Sequence, residues 1–248
     1  MNIKHPVAHQ IPQLKALWKQ AFGDTDAEID FFFRTGFSEN RCLCAVVDGQ
    51  VAAALYWFDC TVWSEKVAYL YAIATEKAFQ RQGIASQLIR FTHDHLKSKG
   101  YCGAILVPSE ESLFAFYEKS GYTAFSSIGE FTCQNADTAV PLSKISKADY
   151  IRLRKAYLPQ GGVLQEDVLL DCLDGFYAGD DFIFTATGWN DSLFVPELLG
   201  NKEKAPQILR ALGFSQGIFR TPGNDRKFGM FCPFEDLPAP TYFALALD

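Results

Sequence analysis

A change of pattern between residues 70 and 89 constrains the fold of this chain more than any other feature. An apolar run ends near Thr75, a short polar loop follows, and a helical pattern begins at Ile84. The segment Gln80-Arg81-Gln82-Gly83-Ile84-Ala85 occupies the position of the first helical turn. Unpaired backbone N–H groups make such a turn an anion site, and small residues at 83 and 85 let a diphosphate reach the backbone. The junction therefore predicts a phosphate-binding loop, although an ordinary helix N-terminus would show the same pattern.

The residues after the loop predict a helix and a second buried strand. The helical residues expected to share one face are Ile84, Leu88, Phe91, His95 and Leu96. Gly100 ends the helix, and the run 103–107 is short, apolar and closed by Pro108, which is typical of a buried strand. A strand–helix–strand unit of this kind places its two strands parallel, with a right-handed crossover.

The loop resembles motif A of the GCN5-related N-acetyltransferases (GNAT), in which (Gln/Arg)-x-x-Gly-x-(Gly/Ala) binds the pyrophosphate of acetyl-CoA. Here the motif is Gln80-x-x-Gly83-x-Ala85. Neither the three-glycine dinucleotide motif nor the nucleoside triphosphate loop occurs in the chain. The resemblance implies acetyl-CoA as co-substrate. The coenzyme-binding residues that it implies in the loop are Gln80, Arg81, Gln82, Gly83, Ile84, Ala85 and Ser86.

A second segment, residues 112–122, is similar to motif B of the same family. Its sequence, Ser-Leu-Phe-Ala-Phe-Tyr-Glu-Lys-Ser-Gly-Tyr, predicts a short helix that ends at a glycine. In the family, the tyrosine at the position of Tyr117 protonates the coenzyme A thiolate as it leaves. A phenol with a pKa of about 10 can protonate a thiolate whose conjugate acid has a pKa of about 8.5. Outside this motif, Tyr117 would be an ordinary tyrosine packed beside two phenylalanines.

The resemblance implies a mixed α/β sheet of the GNAT type. In that fold, the strand ending near Thr75 separates from the strand near Val107, and the pantetheine lies in the gap. The backbone of Ile73 and Thr75 would bind its amides, and an N–H near Ile73 or Ala74 would polarise the thioester carbonyl. Ser112, at the start of the motif B helix, is also implied to contact the coenzyme.

Two positions depart from the family pattern. An asparagine that often bonds the pantetheine is replaced by Glu110, seven residues before Tyr117. A glutamate that serves as base in many members is replaced by Tyr69, fourteen residues before Gly83. Tyrosine is a poor base at neutral pH. The general base therefore stays unassigned.

The residues before the junction fit the same fold. Helices are predicted over 10–22 and 27–35, with Asp24-Thr25-Asp26 as capping groups for the second. Strands are predicted over 41–47 and 51–59, joined by a hairpin at Asp48-Gly49, and over 67–74.

The polar stretch 134–138 predicts a boundary between a coenzyme-binding domain, residues 1–134, and a second domain, residues 138–248. In the second, helices are predicted over 144–157, 165–176 and 202–212, and strands over 181–187, 192–198, 218–221, 228–231 and 241–247. This order repeats the first half without the glycine loop. The sequence therefore predicts two tandem GNAT-like domains, the C-terminal one degenerate. Arg220 and Arg226, around Pro222-Gly223, could bind an acceptor carboxylate.

Composition excludes several other classes of function. The net charge of −6 and the lack of a basic run argue against nucleic acid. The longest apolar run is too short for a bilayer and no signal peptide is present, which predicts a cytoplasmic protein without membrane contact. Seven cysteines without a Cys-x-x-Cys pair, and histidines without ligand spacing, predict no metal site. A homodimer stays open.

These observations predict transfer of an acetyl group from acetyl-CoA to a primary amine of a small molecule. The amine would attack directly in a ternary complex, and Tyr117 would protonate sulfur. A covalent cysteine route is weaker, because no cysteine lies near either motif. Two alternatives remain: a coenzyme A-binding sensor without catalysis, and a protein N-acetyltransferase.

Overall fold

The computed structural model describes residues 1–166 and 168–247. Among these residues, the α-helices are α1 Ile11–Phe22, α2 Asp26–Thr35, α3 Ile84–Ser98, α4 Ser112–Glu118, α5 Lys147–Tyr157 and α6 Ala205–Leu212. The strands are β1 Asn2–Lys4, β2 Cys42–Val47, β3 Gln50–Val62, β4 Glu65–Thr75, β5 Gly103–Leu106, β6 Thr123–Ala124, β7 Ser127–Gln134, β8 Ser143–Lys144, β9 Leu164–Gln165, β10 Phe176–Ala178, β11 Phe182–Trp189, β12 Ser192–Gly200, β13 Gln216–Pro222, β14 Arg226–Lys227 and β15 Met230–Pro233. No helix of the described residues is long and apolar enough to cross a membrane.

The strands form two mixed sheets. The first has the order β1-β2-β3-β4-β5-β15-β6, with β9 paired to β3, and the second has the order β14-β7-β13-β12-β11-β10-β8. In the first sheet, β4 and β5 are parallel and α3 connects them. In the second, β12 and β13 are parallel and α6 connects them. Each parallel pair follows an antiparallel meander of three strands, so the predicted tandem repeat and mixed α/β fold are confirmed.

The two sheets exchange strands, which the sequence did not indicate. β7, which precedes the predicted boundary, pairs with β13 and β14 in the second sheet. β15, near the other end of the chain, lies between β5 and β6 in the first sheet. The ring of Phe231 covers Gly103 so closely that a Cβ at residue 103 would lie 2.5 Å from it. Neither sheet is therefore built from one side of residues 134–138 alone.

Two predicted elements are wrong. The helix predicted over 165–176 includes Asp167, which lies outside the described residues. In its place the structure has the end of β9, a 3-10 helix, Val168–Cys172, an irregular link and the first residue of β10. Pairing of β9 with β3 overrides the helical pattern there. The strand predicted over 241–247 is irregular, and among the described residues only Tyr242 makes a bridge, to Gly162. Phe91, predicted on the buried face of α3, is exposed, because the buried face is centred on Leu88 and Leu96.

Side-chain and backbone hydrogen bonds hold the segment 241–247 against β9 and against the link between β6 and β7. Val163 N donates to Tyr242 O at 2.8 Å, Gln165 Nε2 donates to Leu245 O at 2.9 Å, and Ser126 Oγ donates to Phe243 O at 3.1 Å. These bonds satisfy backbone groups that the segment, without a strand ladder, would otherwise bury unpaired. They fix the direction in which the chain reaches Leu247.

A buried ion pair fixes α5 on the second sheet. The guanidinium of Arg154 binds the carboxylate of Glu197 on β12 in bidentate geometry, with N–O distances of 2.6 and 3.0 Å. The hydroxyl of Tyr150 donates to the same carboxylate at 3.0 Å. Burial of a charge is tolerated only when it is paired and hydrogen-bonded in this way.

Candidate active site

A gap opens in the first sheet where β4 and β5 separate. Parallel pairing joins Val67–Tyr69 to Gly103–Ile105 and ends there, although β4 continues to Thr75. A bulge in β4 places Ala72 and Ile73 opposite Leu55 alone, and Ala72 has a φ of 48°. A bulge of this kind removes backbone groups from the ladder and makes them available to a ligand. The strand separation predicted for the pantetheine is therefore present.

The glycine loop forms the N-terminus of α3. Gly83 is the N-cap residue with a φ of 74°, and no side chain caps the helix. The first N–H groups of α3 are consequently available to a ligand at the positive end of the helix dipole. Arg81 also has a positive φ, 62°, and its side chain is exposed beside the turn. Gly83 suits this left-handed conformation, which strains a residue that carries a Cβ.

The glutamine side chains of the loop bind the loop itself. Gln80 Nε2 donates to Thr75 O, and Gln82 Nε2 donates to Ala78 O, both at 3.1 Å. These bonds fix the shape of the turn between β4 and α3. One lone pair of the Thr75 carbonyl, which was predicted to face the pantetheine, is thus already used.

Tyr117 lies on the inner face of α4. Its ring is packed against Phe116 and Tyr122, with ring centroids 5.1 and 6.0 Å away. Burial raises the pKa of Tyr117 to about 12, so the phenol keeps its proton over the physiological range. Its hydroxyl has no hydrogen-bond partner within the described residues.

A cavity of about 460 Å³, which we call the coenzyme cleft, occupies the gap between β4 and β5. Its residues include Tyr69, Tyr71, Ala72 and Ile73 from β4, Leu106, Val107, Pro108 and Ser109 from the end of β5, and Leu113 and Tyr117 from α4. Predicted residues Ile73 and Tyr117 therefore meet in one cavity.

The link between α1 and α2 reaches the same cavity. α1 ends at Gly23, whose φ of 79° turns the chain, and α2 starts after the N-cap residue Thr25. Between them, Asp24 accepts a hydrogen bond from Trp18 Nε1 at 2.7 Å. Thr25 and Glu28 form the capping box, so Asp24, which the sequence predicted as a capping group, is free to face the cleft.

A second cavity, of about 1010 Å³, lies between the two sheets, and we call it the outer cavity. Its aromatic residues are Trp18, Phe31, Phe32, Tyr71 and Phe194, and its carboxylates are Asp24, Glu28, Asp174 and Asp191. Within the described part of the chain, no lysine or arginine lines it. Its negative charge and aromatic wall favour an organic cation.

The two cavities meet at shared residues. Asp24, Tyr71 and Leu247 line both of them. This junction could not be predicted from the sequence, because Asp24 and Leu247 are 223 positions apart and neither belongs to motif A or motif B.

Comparison with known families identifies the chain. A model of the acetyltransferase (GNAT) domain matches residues 2–125, which is half of the sequence. The chain belongs to the GNAT acetyltransferase family. This confirms the family to which the sequence resemblance pointed.

Solved structures support the GNAT fold over nearly the whole chain. A GCN5-related N-acetyltransferase from Kribbella flavida is 17% identical, with a TM-score of 0.73, covering 93% of this chain and 70% of that one. One from Anabaena variabilis is 14% identical, with a TM-score of 0.72, covering 93% and 72%. A putative acetyltransferase from Pyrococcus horikoshii is 11% identical, with a TM-score of 0.70, covering 98% and 91%. No curated protein matches the chain.

The other residues predicted for the GNAT coenzyme site lie around the cleft without lining it. Ala74 and Thr75 pair with Ala54 and Ala53 of β3. Ser112 is exposed at the start of α4, and its hydroxyl donates to Glu110 Oε1 at 2.5 Å. Together with residues 80–86, these positions stay predictions for coenzyme contact.

Tyr69, which replaces the family's base, and the arginines predicted to bind an acceptor carboxylate have structural roles. Tyr69 is buried, stacks on Phe58 and contacts the ring of Phe243, so it is part of the core beside the cleft. Arg220 and Arg226 both donate to Glu130 Oε2, at 2.8 and 3.1 Å. The carboxylate that both arginines bind in the structure is therefore that of Glu130, in the same chain.

No group of three or more histidine, cysteine or acidic side chains in the described residues could hold a metal ion.

Proposed function

We propose that the protein transfers the acetyl group of acetyl-CoA to a primary amine of a cationic small molecule. The observation that carries this proposal is the junction of the two cavities. Tyr117 lies in the coenzyme cleft, and the acidic outer cavity opens on the same cleft through Asp24 and Tyr71. A coenzyme and an acceptor bound in these cavities would meet at one point.

The residues of the coenzyme cleft suit an acyl-CoA. The uncapped start of α3 and Arg81 provide positive charge for a diphosphate. The gap between β4 and β5 is narrow and mostly apolar, and the bulge at Ala72 and Ile73 offers backbone groups for amides. When bound, acetyl-CoA supplies an activated thioester carbonyl.

Two groups of the chain would assist the transfer. A backbone N–H at the bulge, near Ile73 or Ala74, would polarise the thioester carbonyl. The hydroxyl of Tyr117 would donate its proton to the sulfur as the C–S bond breaks. Burial that raises the pKa of Tyr117 to about 12 also raises the pKa of a thiol in the same cleft, so the transfer stays balanced.

The outer cavity favours a small molecule over a protein acceptor or a sensor. Cavities that hold drug-sized molecules occupy roughly 300–1,000 Å³, and this one reaches the upper end of that range. A protein acceptor would need only a channel for one side chain, and a sensor of coenzyme A would need no acceptor space.

A covalent cysteine route has no support from the one thiol that lines the outer cavity. Burial raises the pKa of Cys172 to about 11, so it is a neutral thiol and a weak nucleophile at pH 7.

Thiol release from acetyl-CoA over a panel of amines tests the proposal. The panel contains putrescine, spermidine, tyramine, phenethylamine and a lysine-containing peptide, with the N-acetyl products identified by mass spectrometry. We expect thiol release in step with acetylation of one of the free amines. Coenzyme binding without release for any amine would support the sensor, and release with the peptide alone would support a protein acetyltransferase.

A further inference from the structure

We propose that Asp24 is the general base, which accepts the proton of the acceptor ammonium at the junction of the two cavities. This inference rests on the proposed function and fills the role left open at Tyr69. It concerns a residue on the α1–α2 link, outside both motifs.

The chain fixes Asp24 from both sides. The last turn of α1 is closed by a hydrogen bond from Gly23 N to Lys19 O at 3.0 Å, and the capping box of Thr25 and Glu28 fixes the first turn of α2. Trp18, whose indole is buried in the core, donates to Asp24 Oδ2 at 2.7 Å. A carboxylate held at both backbone neighbours and at one oxygen has little freedom to leave the junction.

The second oxygen of Asp24 is available. Within the described residues, Oδ1 accepts no hydrogen bond, while Oδ2 is used by Trp18. The neighbouring carboxylate that lines the outer cavity, Glu28, is instead used by the backbone N–H and hydroxyl of Thr25, at 2.8 and 2.7 Å. Of the two carboxylates from this link and helix that line the outer cavity, Asp24 is the one that also lines the coenzyme cleft.

Other ionisable groups face the junction from the packed elements. Tyr69 and Tyr71 face it from β4, and Tyr117 faces it from α4. Arg226, on β14, lines the coenzyme cleft, and Glu28, Asp174 and Asp191 line the outer cavity. The three tyrosines are neutral hydroxyls at pH 7 and Arg226 is a cation, so these four cannot take a proton from an ammonium. The carboxylates of Glu28, Asp174 and Asp191 line the outer cavity but not the coenzyme cleft, whereas Asp24 lines both.

The proton balance is closed by this assignment. A primary ammonium loses one proton to Asp24, which passes it to solvent, and the neutral nitrogen then forms the C–N bond. The C–S bond breaks, sulfur takes the proton of Tyr117, and the second nitrogen proton leaves to solvent, from which Tyr117 is restored. The overall products are the amide, free thiol and one proton in solution.

Asp24→Asn tests the assignment over a range of pH. The amide oxygen of asparagine can still accept the Trp18 hydrogen bond, so the fold should be kept. We expect kcat/KM for the best amine of the panel to fall about 100-fold at pH 7, the lower end for loss of a general base. At pH 10 the loss should shrink to less than about fivefold, because about a quarter of an alkylamine with a pKa of about 10.4 is then neutral without a base, against less than about a thousandth at pH 7.

Two further variants make the outcome specific. Asp24→Glu, which keeps a carboxylate, should retain much of the activity at pH 7. Asp30→Asn removes a carboxylate that lies on α2 outside both cavities and binds Lys15, and it should leave the pH profile unchanged.

A loss in Asp24→Asn that is equal at pH 7 and pH 10, or no loss at pH 7, would overturn the assignment. Acetyl-CoA affinity, measured by calorimetry, should be unchanged in all three variants. If the wild-type protein acetylates no amine, both the proposed function and the assignment of Asp24 as base are wrong. If the wild-type protein is active and only the Asp24 variants depart from the expected results, the assignment is wrong and the proposed function stands.

Discussion

Burial decides what Tyr117 can do as a single residue. Its pKa, raised to about 12, keeps the phenol protonated at every pH at which an amine acceptor can be assayed. Its hydroxyl is not used by the protein, although most buried tyrosine hydroxyls find a partner. A protonated, unpartnered phenol in a narrow cleft is suited to donate to a ligand atom.

The change Tyr117→Phe tests this role. We expect kcat to fall about 100-fold, while acetyl-CoA affinity stays nearly the same because only one oxygen is removed. The pH at which the rate changes should not move, since Tyr117 does not titrate between pH 6 and 10. Steady-state kinetics and calorimetry on the same samples measure both. Undiminished turnover would remove Tyr117 from the mechanism.

Residues within motifs could be predicted from the sequence, and residues that meet only through the fold could not. Gly83 and Tyr117 stand in ordered local patterns 34 positions apart. Asp24 stands in a pattern typical of a helix cap, and its place at the cavity junction depends on Trp18 and on the C-terminal segment. A capping pattern predicts where a helix begins, but it does not predict which residues the Asp24 side chain contacts.

At the scale of elements, the starts of α3 and α6 explain why one copy suits a diphosphate and the other does not. α3 begins at a glycine without a side-chain cap. α6 follows a 3-10 turn capped by Asn201 and carries a proline in its first turn, which lacks an N–H donor. The glycine loop that is missing before α6 predicts the same difference from the sequence.

Packing of α3 against Tyr122 and Phe234 makes stability depend on pH through His93. His93 Nε2 lies 2.8 Å from the hydroxyl of Tyr122, and its ring packs on Phe234. Burial, with a smaller effect of Lys97, lowers the pKa of His93 to about 4. In the unfolded chain, a histidine has an ordinary pKa of about 6.5. Between pH 6.5 and 4, His93 is therefore protonated in the unfolded chain and neutral in the folded protein.

We expect this difference in protonation to lower the free energy of unfolding as the pH decreases. His93 contributes its full stability above pH 6.5 and loses about 1.4 kcal/mol per pH unit down to pH 4. The free-energy difference between the wild type and His93→Gln, from urea unfolding at each pH, should shrink by about 3 kcal/mol over this range. The exposed His9→Gln is the control and should show no such trend. A difference that is constant with pH would contradict the account.

Long-range pairing explains why some elements were predicted wrongly. The residues around 165–176 have helical spacing. Pairing of β9 with β3 and the hydrogen bond from Gln165 to Leu245 nevertheless hold the start of this segment in an extended conformation. Strands and helices of 84–106 were predicted well because their pattern and their packing agree.

At the scale of the whole molecule, strand exchange joins the two sheets into one folding unit. β15 supplies Met230 and Phe231 to the first sheet, and both are buried. β7 pairs with β13 from Ile128 to Gln134 in the second sheet. A composition change near residue 136 could not reveal this, because strand exchange leaves the local sequence pattern unaltered.

We therefore expect residues 1–134 alone not to fold. Without β15, the edge of β5 and the apolar residues under Phe231 are exposed, and β7 has no partner. Urea unfolding followed by circular dichroism should show one cooperative transition for the full chain and none for the fragment. Mixing the fragment with residues 135–248 should restore the transition. A fragment 1–134 that unfolds cooperatively by itself would contradict the exchange as a requirement for folding.

The most direct test of the central claim is calorimetry of acetyl-CoA binding to the wild type, Gly83→Glu and Gly213→Glu. Both glycines have positive φ and open surroundings, at 74° and 81°, but Gly83 starts α3 and Gly213 ends α6. A carboxylate at residue 83 would repel the diphosphate and block the backbone of the loop. We predict one binding site in the wild type, no binding in Gly83→Glu and unchanged binding in Gly213→Glu. Undiminished binding in Gly83→Glu would contradict the coenzyme site at the start of α3.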